Sequence, residues 1–244
     1  MTAALKNEIT KLAGKKKYLV LFIIAILICG GRVGINQIIS KLSGEAIKSS
    51  NIIMEMFPFF AEIYVPLIIF MAVTDLVSTE ICDLTIKATL MRPVNRFKAV
   101  SAKIIASFLM GTIFYAGVFV ICAVLQAIFG SVDPAYIFKS LGAYLIDLVP
   151  LFVLALFANT VNLLSKTPTL SMFMSIVIYA LMKYCNYFSP ILNTMIFTSY
   201  MQWHKLWIGA MIPFGAMSVK IGIIAGSAVL LYTAGYMLFD KKEY

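Results

Sequence analysis

Long apolar runs separated by short polar segments dominate this sequence of 244 residues. A helix needs roughly 20 apolar residues to cross the hydrocarbon core of a bilayer, and six runs are long enough. They cover residues 18–38, 57–78, 99–129, 138–164, 168–188 and 219–239. The runs are continuous and lack the alternation that the strands of a membrane β-barrel require. The pattern predicts an all-α integral membrane protein with six transmembrane helices.

A short amphipathic pattern precedes the first run. Leu5, Ile9 and Leu12 recur at the spacing of one helix face, while lysines cover the other faces. The pattern predicts an interface helix within residues 1–17, held in the cytoplasmic headgroup region by apolar insertion and anionic lipid. The alternative is a frayed basic tail that only fixes the topology. No small-residue cleavage site follows the first run, so we expect a retained span and not a signal peptide.

Residues 189–218 are apolar but interrupted. Pro190, the Trp203-His204-Lys205 cluster and Pro213 divide them into runs of about 12 residues, each too short to cross. We expect a re-entrant or interfacial hairpin on the outer side, with Trp203 and Trp207 at headgroup level. His204 is the one histidine of the chain, and we interpret it as an interfacial residue and not a metal ligand.

Composition agrees with a membrane protein, since 61% of the residues are hydrophobic, 13% are charged and the mean hydropathy is +0.94. The net charge of +9 does not indicate nucleic-acid binding, because the basic residues are not gathered on a soluble module. They follow the positive-inside rule if both termini are cytoplasmic in a multi-pass plasma membrane protein. The outer side then receives only Lys41, Lys48, Lys139 and Lys205.

The sequence carries no motif for a bound cofactor or for catalysis. The four cysteines are scattered, without the paired spacings of a zinc or redox site. There is no phosphate-loop motif and no His-Glu-x-x-His motif. We therefore expect a protein that is not an enzyme and that binds no metal or cofactor itself.

The residues between the second and third runs are unusually charged. Such a dense cluster must lie in water or against another protein, because charges are costly inside hydrocarbon. No Gly or Pro interrupts a helix from Glu80 to Met91, Pro93 then ends it, and Asn95 is a plausible cap for the next helix. The charged residues are Asp75, Glu80, Asp83, Lys87, Arg92, Arg96, Lys98 and Lys103.

The chain is interpreted as one transmembrane domain, 1–244. Its parts are the interface helix (1–17), the first two spans (18–78), the charged loop (79–98), the third to fifth spans (99–188), the outer hairpin (189–218), and the sixth span with its cytoplasmic tail (219–244).

The charged loop resembles the cytoplasmic loop of ABC-2 type permeases. The run Glu80-Ile-Cys-Asp-Leu-Thr-Ile-Lys87, followed by Arg92-Pro93-Val-Asn-Arg96, is similar to the family pattern of an acidic residue, Gly-Thr-x-Lys, a Leu-rich turn, Pro, a polar residue and Arg. Leu84 stands where the family commonly has Gly. The layout of an amphipathic helix, six spans and a motif loop after the second also resembles this family, and in particular the permeases of the bacitracin and lantibiotic resistance type.

The resemblance implies the permease subunit of an ATP-driven exporter for a peptide antibiotic, a lipid-like molecule or another amphiphile. ATP and Mg²⁺ would be bound by a separate ABC ATPase, present in two copies, and the permease would pair with a second copy of itself or with a sister permease. The charged loop would be the coupling helix that docks on the ATPase. Its coupling residues would be Glu80, Asp83, Thr85, Lys87, Arg92, Pro93 and Arg96.

Charged residues also occur inside the apolar runs, where ionisable groups usually have a partner or a function. Asp147 and Lys183 are nearly equidistant from the turn at Lys166, so we expect a salt bridge between them. A second pair, Arg32 and Glu62, is predicted across the first hairpin, and Asp75 is expected to be solvated or tied to the coupling region. An ion- or proton-coupled secondary transporter using Asp147 and Lys183 is the alternative function.

Overall fold

The computed structural model describes residues 2–43, 51–83, 85, 96–130, 133–188, 190–208 and 214–241. Within these ranges every regular element is helical. Six helices are long and apolar enough to cross a membrane. The predicted all-α fold with six spans is therefore confirmed.

A short N-terminal helix, Thr2–Ala13, precedes the six spans. The first to sixth spans are Lys16–Ser43, Ile52–Cys82, Arg96–Phe129, Pro134–Leu164, Pro168–Phe188 and Phe214–Lys241. Segment 190–208 lies between the last two and contains the short helix Pro190–Met195 and the 3₁₀ turns Phe197–Tyr200 and Trp203–Leu206.

The N-terminal helix and the end of the sixth span lie at one end of the bundle, which we call the terminal side. The phenyl ring of Phe97, at the start of the third span, contacts the ring of Tyr236 near the end of the sixth. The N-terminal helix packs against this same part of the third span. Segment 190–208 lies at the opposite side.

The second span contains two π-helical turns, Phe60–Tyr64 and Thr74–Ser78. A π turn accommodates one extra residue in the helix and changes the direction of the side chains that follow, and such turns are frequent at functional sites. Each turn contains one acidic residue, Glu62 in the first and Asp75 in the second. Two of the four acidic residues of this span therefore lie where the helix is locally irregular.

The fourth span is divided at Asp147 into the helices Pro134–Ile146 and Leu148–Leu164. Pro150 has no amide hydrogen and so cannot donate a helical hydrogen bond to the carbonyl of Ile146. The break leaves the backbone turning at Asp147, whose side chain is completely buried.

The second and fourth spans form the centre of the bundle. Burial covers 67% of the apolar window of the second span and 61% of that of the fourth, against 11% for the sixth. Gly111 of the third span allows close approach to the second, because a β-carbon there would lie 2.6 Å from Cγ1 of Ile69. The peripheral spans leave apolar side chains such as Leu27 and Leu230 exposed, as lipid contact requires.

The N-terminal helix forms as predicted, but its apolar stripe packs differently. Leu12 is buried, and Leu5 and Ile9 pack against the core of the bundle. The stripe therefore faces protein and not lipid, which corrects the predicted insertion into the headgroup region. Charged side chains inside the bundle pair with this helix and account for the difference.

Candidate functional site

Four charged side chains meet on the terminal side, where the second span ends. Glu80 accepts hydrogen bonds from the ammonium groups of Lys11, at 2.7 Å, and Lys103, at 2.6 Å. A carboxylate oxygen of Glu8 lies 3.4 Å from Lys11, and its other oxygen lies 3.5 Å from Lys103. Two carboxylates and two ammonium groups thus form a cluster without net charge, which we call the Glu80 cluster.

The Glu80 cluster is largely removed from solvent. Glu8, Glu80 and Lys103 are 5%, 8% and 3% exposed, and Lys103 also donates to the carbonyl oxygen of Leu76 at 2.8 Å. Burial lowers the pKa of the half-exposed Lys11, but the hydrogen bonds and charges of Glu80 and Glu8 outweigh it and raise that pKa above its usual value. Because its members come from three elements, the cluster joins the N-terminal helix to the second and third spans.

A second acidic residue of the second span binds basic residues where the N-terminal helix is joined to the first span. Asp75 lies 3.0 Å from the ammonium group of Lys15 and 2.6 Å from that of Lys17. The hydroxyl of Tyr18 donates to it at 2.7 Å. Asp75, expected to be solvated or tied to the coupling region, is instead held by these basic residues. The C-terminal half of the N-terminal helix and the start of the first span are therefore both attached to the second span.

The predicted coupling residues differ in their surroundings. Asp83 and Thr85 are exposed, and the hydroxyl of Thr85 is 3.4 Å from the carbonyl oxygen of Glu80. Glu80 is buried with partners in its own chain, so the structure does not present its side chain to another protein. Lys87, Arg92, Pro93 and the departure at Leu84 lie outside the described residues, as does the side chain of Arg96.

Asp147 does not pair with Lys183, and that prediction is wrong. Its carboxylate accepts a hydrogen bond from the backbone N–H of His204 at 2.5 Å and lies 2.9 Å from Nδ1 of the His204 ring. Both residues are buried, so His204 is not interfacial as predicted. Segment 190–208 reaches into the bundle and supplies this partner.

Glu62 does not pair with Arg32, and that prediction is also wrong. Its carboxylate forms a salt bridge with Lys183 and accepts a hydrogen bond from the amide of Gln202 at 2.7 Å. The hydroxyl of Tyr179 donates to the Glu62 carbonyl oxygen at 2.8 Å. Arg32 is exposed on the peripheral first span. Glu62 therefore connects the second span, the fifth span and segment 190–208.

Segment 190–208 also differs from the predicted hairpin. It forms short turns in place of two long runs. Trp203 is buried and packs against Tyr200, with ring centroids 5.6 Å apart, while Trp207 is 46% exposed. Trp203 therefore anchors the segment within the protein, and the predicted headgroup position does not describe it.

Sequence reasoning missed Glu8, although a signal was present. Glu8 is the one acidic residue in the N-terminal helix, Thr2–Ala13, where the other charged residues are lysines. The pairing of Glu80 with Lys103 was equally accessible, because the two flank the same turn between antiparallel helices. Among the described residues, no three His, Cys, Asp or Glu side chains come together as metal ligands.

The comparison with protein families adds an independent finding. The model of a family described as ABC-2 family transporter protein matches residues 4–198. The match begins in the N-terminal helix, includes five spans and the charged loop, and ends within segment 190–208. No curated protein matches the sequence.

Proposed function

This chain belongs to the ABC-2 family of transporter proteins and is the membrane subunit of an ABC transporter, and from this premise we propose that residues 79–98 dock on a separate ATPase subunit. ATP and Mg²⁺ are bound by that partner. The transporter exports an amphiphile, such as a peptide antibiotic or a lipid-like molecule.

The Glu80 cluster is the observation that supports this proposal most directly. Residues 79–98 begin at a buried carboxylate whose two cations belong to the N-terminal helix and to the third span. A displacement of the loop is therefore passed to three elements at once. Immediately after Glu80, the side chains of Cys82, Asp83 and Thr85 are exposed and available to a partner.

We propose that the terminal side is cytoplasmic, since most Lys and Arg residues of the loops then face the cytoplasm. Two permease copies, identical or sister chains, assemble with two ATPase subunits in the plasma membrane, and membrane lipid surrounds their exposed apolar faces. Coupling requires that two states of the permease bind the ATPase differently, because a partner without differential affinity shifts no equilibrium.

The alternative of an ion- or proton-coupled carrier that uses Asp147 and Lys183 loses its basis. The two residues have separate partners, His204 and Glu62. They do not form one titrating unit.

The docking role can be tested by purifying the permease together with a partner ABC ATPase. Reversing two loop charges, with Asp83→Lys and Lys87→Glu together, should weaken association by about tenfold or more, as the loss of central interface contacts does. The matched control is Lys139→Glu, an exposed lysine on the opposite side, which should leave association unchanged.

A positioning residue should behave differently from a contact residue. Glu80→Gln should retain most of the association with the ATPase but reduce the stimulation of ATP hydrolysis by a transported amphiphile. A complex unaffected by the double charge reversal would refute docking through this loop.

A further inference from the structure

Two grooves meet at Glu62 on the side opposite the terminal side. The first, of about 370 Å³, lies between the second and fifth spans and is lined mainly by apolar side chains, including Ile63, Leu67, Phe70 and Ile176. The second, of about 360 Å³, lies between segment 190–208 and the start of the sixth span. Its polar lining includes Asn193, Ser199, Gln202, Lys205 and Lys220. An apolar groove and a polar groove thus lie next to each other, with Glu62 lining both.

The polar groove has an excess of positive charge. Lys183, Lys205 and Lys220 line the two grooves together with a single carboxylate, that of Glu62. Glu62 is already paired with Lys183. Within the described part of the chain, neither Lys205 nor Lys220 lies within salt-bridge distance of a carboxylate. Lys205 is within electrostatic reach of the buried carboxylate of Asp147, but neither ammonium group is held in a salt bridge, and both can contact an external anion.

Two residues that line the polar groove also carry buried polar atoms that indicate a ligand. The hydroxyl of Ser199 and the side-chain carbonyl oxygen of Gln202 are buried and have no hydrogen-bond partner among the described residues. Buried polar atoms in proteins are normally hydrogen-bonded. A ligand with oxygen atoms and exchangeable protons would supply partners for both.

From this geometry we propose that the two grooves form one binding site for an amphiphile with an anionic, phosphate-type headgroup. The headgroup lies between Lys205, Lys220 and the hydroxyl of Ser199, where charge-assisted hydrogen bonds are strongest. The acyl chain lies along the apolar groove, against Ile63 and Phe70. The inference rests on the proposed function only in treating this ligand as a transported amphiphile.

The charge distribution distinguishes this site from another groove of the molecule. A groove of about 550 Å³ between the third, fourth and sixth spans is lined by Phe108, Phe152, Trp203 and other apolar residues, and by no charged side chain. Such a surface can accept any lipid chain and cannot select a headgroup. The site at Glu62 combines apolar area with fixed charge, which gives selectivity as well as contact.

The test is a ligand titration of the purified permease without ATPase, followed by native mass spectrometry. The probes are dioleoyl phosphatidic acid, dioleoylglycerol, which lacks the phosphate, and glycerol 3-phosphate, which lacks the chains. We expect saturable binding of phosphatidic acid and an affinity at least about tenfold lower for each of the other two, since each loses one half of the site.

Three variants complete the experiment. Lys205→Gln with Lys220→Gln should lower the affinity for phosphatidic acid by about tenfold or more. The charge-matched control, Lys41→Gln with Lys139→Gln, removes two exposed lysines from the same side and should leave the affinity unchanged. Glu62→Gln should raise it several-fold, because Lys183 is then no longer neutralised. That increase distinguishes a binding site from a merely structural salt bridge.

Each contrary result overturns the site. An equal loss in the control variant would mean general attraction to a positive surface. If glycerol 3-phosphate bound as tightly as phosphatidic acid, the apolar groove would not contribute and the site would be one for free phosphate. If dioleoylglycerol bound as tightly as phosphatidic acid, the headgroup would not contribute. The titration contains no ATPase, so a negative result would not bear on the proposed docking of the ATPase. Conversely, a failure to form the ATPase complex would not bear on the proposed binding site.

Discussion

The ammonium group of Lys103 is buried and is held by several partners. It is 3% exposed and contacts both Glu8 and Glu80. We expect Lys103→Met to lower the free energy of unfolding by about 3–5 kcal/mol, because two buried carboxylates then share only Lys11. Denaturant unfolding of the purified protein in detergent measures this. Lys98→Met, at an exposed position of the same span, should change stability by under about 0.5 kcal/mol, and a similar loss in both variants would contradict the prediction.

The incorrect residue pairings have a common physical origin. Distance from a shared turn predicts the depth of Asp147 and Lys183 but says nothing about the direction of either side chain around its helix. Each π turn in the second span changes that direction for every residue beyond it. Apolar periodicity in the sequence carries no signal for a π turn. The depth of Asp147 and Lys183 was therefore predictable from the sequence, while their partners were not.

His204 is one of the contacts that hold segment 190–208 against the bundle. The ring of His204 packs edge-on against Phe57, with centroids 4.5 Å apart, and lies within hydrogen-bond distance of Asp147. His204→Ala removes both contacts and leaves one oxygen of Asp147 without a partner. Leaving a buried polar atom unpaired should destabilise the packed segment by about 1–3 kcal/mol. We expect amide hydrogen exchange across residues 197–206 to accelerate by about tenfold or more.

Hydrogen exchange followed by mass spectrometry measures this local opening. Lys205→Ala, at the adjacent exposed position, is the control and should leave the exchange rate unchanged. If His204→Ala also left the rate unchanged, the buried contact with Asp147 would not hold the segment in place.

The elements themselves were more predictable than their contacts. Six spans follow from continuous apolar length, which is a property of each segment alone. The division of the fourth span at Asp147 depends on Pro150, which could have been read from the sequence. The packing of the N-terminal helix on the third span could not, because an amphipathic stripe fits a lipid surface and a protein groove equally well. The signal that could have distinguished packing on protein from packing on lipid was Glu8, an acidic residue in a helix whose other charged residues are lysines.

The orientation of the whole molecule can be tested by chemical labelling. Cys82 is exposed on the terminal side, whereas Cys29 and Cys122 are buried. In intact cells carrying Cys185→Ser, a membrane-impermeant maleimide should label a Lys139→Cys variant but should reach Cys82 only after permeabilisation. The Cys185→Ser protein without the added cysteine is the control for Cys82. Labelling of Cys82 in sealed cells would invert the proposed orientation.

The central position of the acidic second span has a consequence for synthesis of the protein. An unpaired charge within a membrane span is costly, and Glu62 and Glu80 emerge from the ribosome before their partners in later spans. Lys103 arrives with the third span, but Lys183 arrives only with the fifth. The second span is therefore expected to stay at the insertion machinery until later helices surround it, while the first, with its exposed apolar surface, can enter lipid at once. Biogenesis of this permease is thus a cooperative process in which the last charged partner completes the insertion of an early helix.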